Sequence, residues 1–272
     1  MSDGTDESGT ATGRGRHVDG AGYVRPTRAV AWTLLPIAIG LPVLSAAFWR
    51  IAVVTESPAP DGLWHQLWTA FDIGDELTVA AWYSSVVWLL LGLCAVLAAV
   101  LAPRYRPSWW LFAVVSFVAA ADETAALHER LIYVGDRLRP YVPFEPHYSW
   151  IIPGAAIAVV VVVLLIRVVW ALRPAITLTL VIAGAVFLTG GLVIETWSGF
   201  VQRDAGGEFT GFYMVLSHIE EAFELVGVSL AIVALASTFW IRRESGTLSV
   251  RFAGYRTPAS TAAPGAVSTP ES

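Results

Sequence analysis

Acidic and histidine side chains recur inside stretches of this sequence that are otherwise apolar enough for lipid: Asp122, Glu123, His128 and Glu129 in one, Glu195 in a second, and His218, Glu220, Glu221 and Glu224 in a third. A charged group at the centre of a membrane helix costs about 2.5–3.5 kcal/mol on insertion scales, so such residues mark function by default. Seven carboxylates against two imidazoles and one nearby cation, Arg130, leave a negative excess that protons or a bound metal must neutralise. Carboxylates projecting inward from facing helices beside imidazoles follow the logic of dinuclear metal bundles, and mixed oxygen and nitrogen donors suit iron, manganese or zinc. The expected metal ligands are Asp122, His128, Glu129, Glu195, His218, Glu221 and Glu224, with Glu123 and Glu195 expected in catalysis. The order here, His-x-x-Glu, inverts the Glu-x-x-His of the di-iron bundles.

These groups need elements that hold them at one level. Hydrophobic residues make up 56% of the chain and charged residues only 14%, with a mean hydropathy of +0.62, far from a soluble globular average. The sequence reads as an all-α, polytopic membrane helix bundle with about six transmembrane helices near 29–49, 77–102, 108–127, 148–172, 175–198 and 212–241, each long enough to span. Its organisation is a disordered tail over 1–28, a transmembrane domain over 29–241 and a disordered tail over 242–272, both tails being polar and rich in small residues. The one cysteine, Cys94, excludes an intramolecular disulfide and a cysteine-based zinc or redox motif. Every basic residue is arginine, which excludes a lysine Schiff base.

Arginine placement sets an expected orientation. Arg14, Arg16, Arg25 and Arg28 precede the first span, Arg104 and Arg106 follow the second, Arg167 and Arg173 flank the turn after the fourth, and Arg242 and Arg243 follow the sixth. The positive-inside rule then puts the chain in the cell membrane with both termini cytoplasmic. At 1.5 Å per helical residue, Asp122 and Glu123 lie about 21–23 Å above the inner end of span three, Glu195 about 30 Å above that of span five, and Glu224 and Glu221 about 26 and 30 Å above that of span six. All converge on the outer third of the membrane. On span six His218, Glu221 and Glu224 descend in steps of three as an expected ridge with Glu220 off it, and on span five Gly184, Gly191, Glu195 and Ser198 share a stripe. Asp75 and Glu76 read as helix-capping acids, and His65 and His147 as loop residues outside the site. Two outer segments are expected to cover the cluster: a short amphipathic helix carrying Leu63, Trp64, Leu67, Trp68 and Phe71, and the aromatic, proline-rich run 131–148.

The string Ala121-Asp122-Glu123-Thr124-Ala125-Ala126-Leu127-His128-Glu129-Arg130, with Glu76-Leu77-Thr78-Val79-Ala80-Ala81-Trp82-Tyr83-Ser84-Ser85, resembles a group of uncharacterised bacterial multi-pass membrane proteins, a resemblance that implies the membrane fold and no particular activity. The paired histidines at four-residue spacing of alkaline ceramidases are missing, since Ala222 follows His218 at that distance. The chemistry expected is that of a metal-dependent oxidoreductase or hydrolase in the lipid bilayer, acting on a lipid or amphipathic substrate, with no nucleic acid involved. A proton- or cation-coupled transporter and a haem protein using His128 and His218 as axial ligands are the other classes. Against transport, the inner halves of the spans offer only scattered Thr177, Thr179, Ser229 and Ser237.

Overall fold

The computed structural model describes residues 22–55 and 62–256, so the expected tails lie outside the described residues over 1–21 and 257–272. The elements run α1 (Thr27–Thr55), α2 (Leu63–Phe71), α3 (Val79–Leu101), α4 (Arg106–Ala125), α5 (Ile132–Leu138), α6 (Ile151–Ala171), α7 (Pro174–Leu188), α8 (Glu195–Asp204), α9 (Gly211–Ala236), and two strands, β1 (Phe239–Glu244) and β2 (Thr247–Phe252). Short 3-10 turns flank α5, and a π-helical segment, Thr189–Ile194, joins α7 to α8. Among the described residues four helical stretches are long and apolar enough to cross a membrane: α1, α3, α6 and the α7–α8 run Pro174–Asp204. A fifth candidate is α4 with the segment Glu129–Tyr141, bent by 89° at the intervening break. The bundle is therefore helical and membrane-compatible with four to five apolar spans on these criteria. The helix expected as the sixth, α9, carries Glu220, Glu221 and Glu224.

Local sequence explains where these elements begin and stop. The Thr78 and Thr210 hydroxyls accept the amides of Ala81 and Tyr213 at 3.2 Å and start α3 and α9 as N-caps. Prolines occupy the first turn of α4 and α7, where no amide donor is lost. Pro36 and Pro42 lie inside α1, a placement that membrane helices tolerate because neighbouring groups re-satisfy the freed backbone. Helix α4 ends where Ala126 turns left-handed at φ 43° and its amide closes on the Asp122 carbonyl at 2.9 Å.

Small residues set how closely the helices meet. Ala95, Ala98 and Ala99 of α3 are fully buried, as is Ala113 of α4, and these two helices form the most extensive pairing. Helix α9 packs against α7 and α1, while α6 makes only a few contacts with α4 and α7. The outer faces stay apolar: Val159 and Val163 of α6 are both more than 60% exposed. Such surfaces need lipid or protein against them.

The carboxyl-terminal segment departs from expectation. The sixth helix stops at Ala236 rather than continuing to 241, and the polar stretch expected to be disordered from 242 forms the antiparallel hairpin β1–β2, paired from Phe239 with Phe252 to Glu244 with Thr247. Ser245 and Gly246 supply the two positive φ angles, 48° and 82°, that a two-residue hairpin turn requires. Tyr255, just beyond, accepts from the buried Trp109 indole at 3.0 Å and donates to the Arg104 carbonyl. Aromatic anchoring thus pulls a charged stretch onto the bundle end. Val24 exchanges two backbone hydrogen bonds of 2.9 Å with Ile241, so the start of α1 and the end of α9 meet at one end of the bundle.

Candidate functional site

The acidic residues meet in a cavity of about 940 Å³ between α3, α4, α6, α7–α8 and α9. Asp122, Glu123, His128, Glu129, Glu195, Glu221 and Glu224 all line it, joined by Asp75, Glu76 and Glu220. Among the described residues nine carboxylates and one imidazole thus face this space, and no arginine lines it. The opposite end of the same cavity is apolar, walled by Phe112, Val115, Val161, Leu165, Phe187 and Leu188.

Helical phase places most of these groups. On α9 Tyr213, Ser217, Glu220, Glu221, Glu224 and Leu225 line the cavity, the last five in the i, i+3, i+4, i+7, i+8 pattern of a single helix face. Helix α4 does the same with Val115, Val118, Ala119, Asp122 and Glu123, and adds Phe112 one step earlier. On the α7–α8 run Gly184, Gly191, Glu195 and Ser198 line the cavity across the π-helical segment. That segment lets α9 come near: a Cβ on Gly190 would lie 2.8 Å from the Glu220 carbonyl, and one on Gly191 would lie 2.7 Å from Glu224 Oε1. Single π turns within α-helices occur frequently at functional sites.

The expected ridge of His218, Glu221 and Glu224 does not hold. Steps of three at 100° per residue drift, so His218 and Glu224 differ by about 120° around the helix. His218 is buried on the α1 side of α9, its Nε2 3.1 Å from Ser45 Oγ, its Nδ1 2.6 Å from the Met214 carbonyl and its ring against Trp49. It is absent from the cavity lining, and Glu220, expected off the ridge, is present. His128 faces the cavity and His218 faces α1, so the two do not bracket one haem.

Indoles and hydroxyls orient several of the acids. Trp88 Nε1 donates to Glu123 Oε1 at 3.0 Å, Trp150 Nε1 to Glu195 Oε1 at 2.9 Å, and Ser198 Oγ to Glu220 Oε2 at 3.3 Å. Asp122 receives the His128 amide at 2.6 Å and holds the imidazole Nδ1 at 2.9 Å. The His128 ring sits edge-on to Trp150 with centroids 4.6 Å apart. Asp122, His128, Trp150 and Glu195 therefore form one contact chain from α4 to α8. Tyr148 donates to Gln202 at 2.6 Å and lies 3.4 Å from the Tyr213 hydroxyl, with both phenols on the cavity wall. Tyr148, Tyr213 and Trp88 escaped the sequence reading, and Trp150 there reads as one of an interfacial belt of tryptophans.

Among the described residues no group of three or more His, Cys, Asp or Glu side chains is placed to hold a metal ion. What the arrangement offers directly is proton exchange among carboxyls and attraction of positive charge. The expected amphipathic helix forms as α2, but its Phe71 packs against Phe48 of α1 and none of its residues lines the cavity. The segment 131–148 folds into α5 and a 3-10 turn, and its Leu131, Ile132 and Tyr148 line the cavity. Thr78, rather than Asp75 or Glu76, caps α3, and Glu76 is free to face the cavity.

Burial, then the neighbouring Glu129, pushes the Glu76 carboxyl above its ordinary value. A raised carboxyl means the folded state binds its proton more tightly than the unfolded state does, so the stability linked to it is present in acid and is lost as pH rises through the folded value. The expected result is that Glu76→Gln gains thermal stability over the parent at neutral pH and loses that advantage below about pH 4, near the ordinary carboxylate range. Equal midpoints for the two proteins at every pH would show that Glu76 is not strained by its surroundings.

The chain belongs to the family described as a domain of unknown function, DUF8692, whose model matches residues 32–239, from the first turns of α1 to the start of β1. No curated protein and no solved structure matches it.

Proposed function

We propose that this chain is a six-span membrane protein with cytoplasmic termini that binds a lipid or other amphipathic molecule in its cavity and acts on the polar end by acid–base chemistry. The observation that carries this reading is the cavity itself: one continuous space with carboxylates at one end and an apolar wall at the other. An amphipathic occupant matches both ends, and the sparse packing of α6 against α4 and α7 gives it a route from the bilayer. The even span count draws support from the meeting of Val24 with Ile241. The arginine pattern supports the orientation, which turns the cavity to the outer leaflet. Glu123 and Glu195, each held by one indole donor, are the acid–base pair. Acid–base groups fixed within reach of a substrate contribute typically 10²–10⁴-fold in rate.

A metal-dependent enzyme, oxidoreductase or hydrolase, is the second reading, favoured by nine acids facing a space that, among the described residues, no arginine lines. Iron, manganese or zinc would draw on Asp122, His128, Glu129, Glu195, Glu221 and Glu224 after side-chain rotation. His218 is not a ligand on this account. Transport draws no support from α9, where Ser229 is the one polar residue between Glu224 and Ala236.

The test is metal content and retained amphiphiles of detergent-purified protein from cells grown with iron, manganese and zinc, beside Ala158→Phe, which puts a ring into the apolar half. Retention of an amphiphile by the parent and its loss in Ala158→Phe is expected. A stoichiometric metal would move the second reading to first place. Parent protein that retains neither, together with Glu224-dependent proton flux in vesicles, would replace both with transport.

A further inference from the structure

A second cavity, of about 570 Å³, lies at the other end of the bundle, where the described termini meet. Its charge is the reverse of the first. Among the described residues Arg25, Arg28 and Arg173 line it, and no acidic residue does. Two helices begin there: α1 at Thr27 and α7 at Pro174, 29 and 15 residues long. First-turn amides have no acceptor inside their own helix, and the aligned peptide dipoles place partial positive charge at that end. Three donor atoms on the same residues are enclosed without a partner: Arg25 Nε, Arg173 Nε and Thr27 Oγ1. The Arg25 guanidinium lies over the Trp240 ring at 4.5 Å, and Arg173 donates to the Ser237 carbonyl at 3.2 Å, so both heads are fixed in place. Burial, then the charge of Arg25, pulls the Arg173 guanidinium below its ordinary value. Two like charges this close, at the amino ends of two helices and lining one cavity, favour an anion between them.

The surroundings identify the source of that anion. Ile176, Val233 and Ala234 continue the cavity along α7 and α9 into the apolar part of the bundle. Trp32, one turn into α1, is 80% exposed, and Trp170, one turn before Arg173, is 56% exposed. Exposed tryptophans on a membrane helix sit at the headgroup level. We infer that this cavity binds the phosphate of an anionic phospholipid, gripped by Arg25, Arg28, Arg173 and the amino ends of α1 and α7, with an acyl chain along α7 and α9. Guanidinium forks match phosphate geometry in two-pronged fashion, and basic pockets between membrane helices are suited to such headgroups.

The experiment uses the full chain in detergent with three additives in parallel: a short-chain phosphatidic acid, a phosphatidylcholine of the same chain length, and inorganic phosphate. Binding is read by native mass spectrometry and by the thermal midpoint. The phosphatidic acid should bind at least tenfold more tightly than the phosphatidylcholine, and inorganic phosphate should leave the midpoint unchanged. Arg28→Gln, whose side chain is exposed, and Arg173→Gln should each cut that preference severalfold, whereas Arg130→Gln at the opposite end should retain it. If Arg173→Gln fails to fold, Arg28→Gln and the parent's lipid preference still decide. Equal binding of the two lipids by the parent overturns the proposal. So does a preference untouched by Arg28→Gln, and stabilisation by inorganic phosphate matching that by the lipid overturns the lipid assignment.

Discussion

Gly227→Val should lower the thermal midpoint by about 5–10 °C, the shift that follows from a loss of roughly 3 kcal/mol in a chain of this size. A Cβ at position 227 would stand 2.7 Å from the Phe187 amide nitrogen and 2.9 Å from the Ala183 carbonyl. Both are backbone atoms of α7, so no side chain can swing aside and the two helices must separate. The same separation would shift Phe187, which packs edge-on to Trp88 at 5.2 Å, and with it the donor to Glu123. Gly184→Ala is the matching control. Nothing lies within 4 Å of an added Cβ there, although Gly184 also lines the cavity. Its midpoint should stay with the parent's, and equal losses in both variants would show that close approach of α7 and α9 is not what Gly227 provides.

The second large effect is expected at the carboxylates. Glu195→Gln keeps an oxygen for the Trp150 indole to donate to while removing the charge, so the fold should persist. Binding of a long-chain alkylammonium should weaken about tenfold in Glu195→Gln and about 100-fold in Glu195→Gln/Glu224→Gln, equivalent to roughly 1.4 and 2.8 kcal/mol. Glu221→Gln should behave as Glu195→Gln does. His218→Ala should leave binding unchanged, because that imidazole bonds Ser45 on the α1 side of the helix. Isothermal titration of the parent and the four variants with the alkylammonium decides this. A loss in His218→Ala equal to that in Glu195→Gln would restore His218 to the site.

Much of this was legible in the residues, and the failures have identifiable causes. Apolar run lengths located both ends of α3, α4 and α6 and the starts of α1, α7 and α9 closely, because a membrane-length apolar stretch has few other ways to fold, whereas the far ends of α1, the α7–α8 run and α9 were misplaced. The shared level of Asp122, Glu123, Glu195, Glu221 and Glu224 followed from helical rise alone, and all five line one cavity. Azimuth was harder. Steps of three looked like a ridge on α9, whereas the combined three- and four-residue spacing of Ser217, Glu220, Glu221, Glu224 and Leu225 marks the true face. The π segment at Thr189–Ile194 was invisible, since Gly190 and Gly191 signal close approach without stating the hydrogen-bond register. The hairpin after α9 was missed because its Arg242, Arg243 and Glu244 read as a charged tail, while the anchors that hold it, Phe252 and Tyr255, lie far in sequence from Trp109 and Tyr105.

The central claim is that one cavity takes an amphipathic molecule with its polar end at the carboxylates and its chain against α4 and α6. It is tested most directly by photolabelling the protein in vesicles with an alkylammonium carrying a diazirine at the chain end, beside an alkylsulfonate of the same length. The account predicts that the ammonium probe labels Val115, Val161 or Leu165 on the cavity wall, that the sulfonate does not, and that Ala158→Phe abolishes this labelling. Labelling confined to lipid-facing positions such as Val159 and Val163, identical for the two probes and unaffected by Ala158→Phe, would contradict it.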